Sequence, residues 1–110
     1  MYYVHFRNFN TTNGTVDWNN CLKIERNHPS IKTIVEEGDI IIIVLGDRCG
    51  QIFKYSEATP FVTGQSCVII KSNVPSLFER LLNKQDDINL LITGAVIKLI
   101  PIKSIRELVV

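Results

Sequence analysis

The sequence predicts an α+β domain that is mostly β, a twisted mixed sheet or partial barrel with two short peripheral helices. Three observations carry this. Ile and Val are used heavily and Ala is scarce, a balance that suits pleated, packed surfaces. Six apolar residues run unbroken from Ile40 to Leu45, five of them β-branched, between a Glu-Glu-Gly-Asp turn signal and a glycine-bracketed loop. Helical spacing is confined to short pieces, with Leu77, Phe78, Leu81 and Leu82 forming the clearest apolar stripe.

The elements follow in order. Tyr2 to Phe9 alternates and predicts a strand with both faces partly covered. Asn8 to Gly14 is a turn-rich loop, because Asn tolerates and Gly freely adopts left-handed backbone. Asp17 to Asn20 suits a single helical turn. Cys21 to Arg26 alternates apolar Leu22 and Ile24 with Lys23, Glu25 and Arg26, a short strand with a wet face. Asn27-His28-Pro29-Ser30 breaks it, and Ile31 to Val35 is a brief extended approach. The Ile40–Leu45 run predicts a strand buried on both faces, and Gln51 to Tyr55 its shorter hairpin partner. Ser56 to Gly64 reads as a loop pinned by Phe61 and Val62, and Gln65 to Lys71 as another strand. A helix is expected from Pro75 to Lys84, opened by proline and serine. Asn83 to Asn89 is polar and acidic. Ala95 to Ile100 is expected to be extended, Pro101 to Arg106 a short helix, and Leu108 to Val110 a terminal strand.

With 110 residues the chain fits one compact domain over 1–110, able to bury about two-thirds of its unfolded surface. No apolar run approaches the ~20 residues that span a bilayer, and Met1 to Phe6 lacks the basic and apolar regions of a secretory signal. A cytoplasmic location is expected, with no membrane partner. The three cysteines form no CxxC pair, and the two histidines stand far apart. Reduced thiols behaving as small hydrophobes are expected, with no metal and no cofactor. The net charge is +1, but residues 1–35 hold Arg7, Lys23, Arg26 and Lys32 against Asp17 and Glu25, so the basic surplus is N-terminal.

No phosphate-binding loop, nucleophile elbow, zinc-protease or dinucleotide motif is present, and no catalytic residue is nominated. Glu36, Glu37 and Asp39 suit a solvated turn in which Asp39 bonds its own backbone. Arg48 beside Cys49 is placed to lower the thiol's pKa, but no histidine stands nearby in sequence to act as a base. The loop Gly46-Asp47-Arg48-Cys49-Gly50 suits a simple hairpin. It equally suits a phosphate contact through its N–H groups and Arg48. The N-terminal loop offers nucleic-acid chemistry: Arg7, Asn8 and Asn10 match guanine and adenine edges, and Lys23 and Arg26 suit phosphates. A solvated loop and one wet strand face explain the same residues.

The segment Ile34-Val35-Glu36-Glu37-Gly38-Asp39-Ile40-Ile41-Ile42, followed by Gly46-x-x-x-Gly50, resembles the target recognition domains of type I restriction–modification specificity subunits. In that family a "GDI" turn enters a hydrophobic strand that ends in a glycine-bracketed loop. Val4 to Asn8, then Gly14-Thr15-Val16-Asp17, is similar to the family's opening strand, polar loop and G-x-I/V-D. Helix Pro75–Lys84, and Gly94 through Leu108-Val109, fall where those domains place a helix and a closing segment. The resemblance spans residues 2–110 in the right order but includes no heptad run for a spacer helix. It implies a non-catalytic module that reads a double-stranded DNA half-site, with methyltransferase and restriction subunits as partners. The family's base contacts vary with target, so the DNA-binding candidates Arg7, Asn8, Asn10, Lys23, Arg26 and Arg48 rest on their own chemistry. The competing expectation is a protein-interaction domain that assembles as a homodimer through an exposed strand edge.

Overall fold

The computed structural model describes residues 1–10, 12–25, 33–64, 66–94 and 96–108. Nine short strands are present: β1 (Tyr2–Val4), β2 (Phe9–Asn10), β3 (Thr15–Val16), β4 (Leu22–Lys23), β5 (Ile34–Val35), β6 (Ile40–Ile43), β7 (Ile52–Lys54), β8 (Phe61–Thr63) and β9 (Cys67–Ile70). Three helices follow, α1 (Leu77–Asn83), α2 (Gln85–Leu90) and α3 (Ile102–Arg106). The class is α+β and mostly β, in mixed sheets that do not close into a barrel among the described residues.

β6 sits at the centre. It pairs antiparallel with β7 on one side and β9 on the other, Ile41 facing Phe53 and Ile69. Successive side chains of a strand point to opposite faces. Ile41 and Ile43 therefore enter one core with Val4, Phe9, Val16, Val35, Phe53, Tyr55 and Phe61. Ile40 and Ile42 enter a second core with Val44, Ile52, Leu81, Ile88, Ile100 and Ile105. All four residues of the strand are buried, as the unbroken apolar run predicts. A one-residue slip would exchange the two faces, so the register is fixed by packing on both sides.

The first core is closed by a four-stranded sheet in the order β4-β1-β8-β5. β1 runs parallel to β8, pairing Tyr3 with Val62, and antiparallel to β4. The second core is closed by α1, α2 and α3. No helix is long and apolar enough to cross a membrane, among the described residues.

Several boundaries differ from expectation, each for a local reason. The first strand stops at Val4 because residues 6–8 form a 3-10 turn, and the His5 N–H donates to Asn8 Oδ1 at 3.2 Å. The expected loop at Phe61–Val62 is β8, the inner strand of the four-stranded sheet. Its three residues are too few for a periodic signal, and its pairing with β1 and β5 is long-range. The acidic stretch 83–89 is largely helical. Asp86 and Asp87 lie in the first turn of α2, where negative charge complements the helix dipole, and Ile88 is fully buried. The chain around 95–100 pairs through single bridges, Leu45 with Leu99 and Thr93 with Leu99, rather than forming a strand. Leu108 is not in a strand, and the rest of the expected terminal strand lies outside the described residues.

Candidate nucleic-acid interface

The N-terminal turn is built on Phe9. Its ring is buried against Phe53, with centroids 4.9 Å apart, and against Phe61 at 5.7 Å. Tilted aromatic pairs of this kind add to the area they bury. β2 and β3 then form a small hairpin, Phe9 opposite Val16 and Asn10 opposite Thr15. Its tip is tied by its own side chains. Asn10 Oδ1 accepts the Thr12 N–H at 3.0 Å, and Asn13 Oδ1 accepts the Thr15 N–H and hydroxyl. Gly14 sits at φ +68, and a Cβ there would stand 2.3 Å from the Lys54 carbonyl oxygen, so no other residue fits. Glu57 fastens the hairpin from outside, its carboxylate accepting the Val16 N–H at 2.9 Å and the Trp18 indole N–H at 3.3 Å.

The nominated residues divide on this frame. Arg7 and Asn10 are exposed on either side of the buried Phe9. Asn8 is only 8% exposed and is spent on the turn, so it has no edge to offer a base. Arg48 donates from Nη1 to the Phe9 carbonyl oxygen at 2.8 Å, and so joins the 46–50 loop to the N-terminal turn. Lys23 lies apart on edge strand β4, its ammonium 5.4 Å from the Tyr2 ring centroid, a cation–π contact. Arg26 lies outside the described residues.

The 46–50 loop also reaches the other way. The Gly46 N–H donates to the Lys98 carbonyl oxygen at 2.9 Å, and Gln85 Nε2 donates to the Gly50 carbonyl oxygen at 2.7 Å. The loop therefore bridges the N-terminal turn and the 93–99 hairpin. Lys98 escaped sequence reasoning because it is some fifty residues from the loop it touches; only the fold brings it there.

Cysteine chemistry differs from the expectation for Cys49. Burial pushes its thiol pKa up, and the Lys98 ammonium offsets this in part. Burial also raises Cys21, and it pushes Cys67 up to about 12. A protonated thiol is a poor nucleophile. An open cleft of about 490 Å³, lined by Met1, Ile34, Glu36, Glu37, Ala58 and Pro60, carries two carboxylates and has the wrong sign for a polyanion. Asp39 is buried as an internal tie of the GDI turn, accepting the Glu36 N–H at 2.8 Å and pairing with Lys71 at 2.5 Å. No group of three or more His, Cys, Asp or Glu side chains is placed to hold a metal ion, among the described residues. No protein-family model and no curated protein matches this chain.

Proposed function

We propose that this chain is a DNA-recognition module of the type I specificity-subunit kind, cytoplasmic and non-catalytic, working with methyltransferase and restriction subunits. The observation that carries the reading is the placement of Arg7 and Asn10. Both project from a turn whose central residue, Phe9, is locked into the core by its ring and held by Arg48 through its carbonyl. Base reading needs a few polar side chains on a rigid support, with phosphate contacts fixing the register. Arg7 supplies a fork for guanine O6 and N7. Asn10 keeps one lone pair of Oδ1, and its amide N–H groups, for adenine. The ordered resemblance from the GDI turn to the closing segment supports the same reading.

The test is fluorescence anisotropy with mixed-sequence duplexes across a salt series. Binding is expected to weaken as salt rises, in proportion to the phosphates contacted. Arg7→Ala weakens binding by about 1–3 kcal/mol while leaving the melting temperature unchanged. Absence of binding to every duplex at 50 mM salt rules the module out. One feature favours the competing assembly reading: Leu22, 70% exposed on edge strand β4, is open to pairing with a second copy. A concentration-dependent dimer in light scattering, with no DNA affinity, would establish it.

A further inference from the structure

We infer that the 93–99 hairpin is a second contact with duplex DNA, an apolar tip that sets Val96 and Ile97 against the bases with Lys98 on a phosphate. This rests on the DNA-recognition reading above and extends it to a segment far away in sequence.

The tip is constructed rather than loose. Thr93 and Leu99 exchange both backbone hydrogen bonds, at 2.8 and 2.9 Å, closing the loop at its base. Gly94 lies at φ +102, and a Cβ there would fall 2.0 Å from the Ile97 carbonyl oxygen. Such a close approach holds the tip in one shape. At its end Val96 is 96% and Ile97 61% exposed, and neither belongs to either core. Exposing two neighbouring β-branched residues on a built hairpin contributes nothing to folding, and such patches mark contact surfaces.

The surroundings select DNA as the occupant. Lys98 follows the apolar pair directly, and its ammonium acts electrostatically on Cys49 in the 46–50 loop. Its backbone carbonyl accepts the Gly46 N–H, and Arg48 in the same loop donates to Phe9 between Arg7 and Asn10. Two hydrogen bonds thus join the apolar tip to the polar turn through one basic loop. Aliphatic side chains have nothing to offer a phosphate. In a groove they meet thymine methyls or the faces of a partly opened base step.

The experiment compares the whole chain with V96S/I97S and K98A variants by anisotropy on labelled duplexes, in a salt series. The substituted side chains are exposed, and melting curves confirm that each variant folds. V96S/I97S is expected to bind about tenfold more weakly with an unchanged salt slope, because the lost contact is apolar. K98A is expected to flatten the slope by about 0.9, one phosphate contact. Binding by V96S/I97S within twofold of the parent overturns the inference while leaving the DNA reading intact. So does a variant that keeps DNA affinity but loses a self-association seen in light scattering, which assigns the tip to a protein interface. If the parent chain binds no duplex, the DNA reading itself fails and this inference falls with it.

Discussion

The two sides of β6 are packed differently. Ile41 and Ile43 face rings: Phe9, Phe53, Tyr55 and Phe61, with Tyr55 edge-on to Phe61 at 4.9 Å. Ile40 and Ile42 face aliphatic chains carried largely by helices and the segment around Ile100. Aromatic pairs have preferred geometries, whereas aliphatic side chains repack more freely. The polar turn carrying Arg7 and Asn10 hangs from the aromatic side. The 93–99 hairpin hangs from the aliphatic side, where the Ile100 N–H donates to the Val44 carbonyl oxygen. One strand thus supports both halves of the proposed surface, and the 46–50 loop ties them at its exit.

The largest effect that would break this contrast is loss of a shared ring. Phe61→Ala is expected to cost about 3–5 kcal/mol of unfolding free energy in urea titration. It removes partners of Phe9, Trp18 and Tyr55 together, so the N-terminal turn should lose order with it. Ile88→Ala on the aliphatic side is expected to cost about 2–4 kcal/mol, with Arg7-dependent DNA binding retained. Equal damage to the turn from both variants would show that the cores act as one.

Alkali provides a smaller probe. Cys67 lies on β9, partly buried against the aromatic core, and its thiol pKa rises from 9.0 to about 12 on folding. A raised pKa in the folded state means stability is full below pH 9 and falls as pH climbs toward 12. The slope is at most about 1.4 kcal/mol per pH unit. Cys67→Ala should flatten that part of the pH–stability curve. Arg48→Ala should cost about 1–2 kcal/mol, from its bond to Phe9, and should weaken DNA binding more than its lost charge explains. Lys103→Ala, which removes an exposed 3.8 Å pair with Glu107, should fall within about 0.5 kcal/mol of the parent.

How far these features were legible depended on their range along the chain. β6 is written in its own residues, because a two-sided strand needs apolar side chains at every position. The stripe of α1 and the proline opening α3 are equally local. β8 was not legible: Phe61-Val62-Thr63 is defined by partners some sixty residues upstream and some thirty upstream. α2 was hidden because its surface is acidic and Ile88 is its single buried side chain. Among the site residues, Arg7 and Asn10 were visible from chemistry alone. The burial of Asn8 follows from a side-chain bond that composition does not reveal, and the role of Lys98 needed the fold.

The parallel pairing of β1 with β8 has a consequence for how the chain is made. Thr63 Oγ1 donates to the Val4 carbonyl oxygen across fifty-nine positions of sequence, at 2.7 Å. The strand synthesised first is thus an inner strand of its sheet, and its parallel neighbour emerges from the ribosome much later. Until then Tyr2–Val4 has β4 as its sheet partner, and the loop-closure entropy of some sixty residues must be met before the sheet is complete. A chaperone that shields the nascent N-terminal segment should therefore raise the yield of native protein more than one acting on the finished chain.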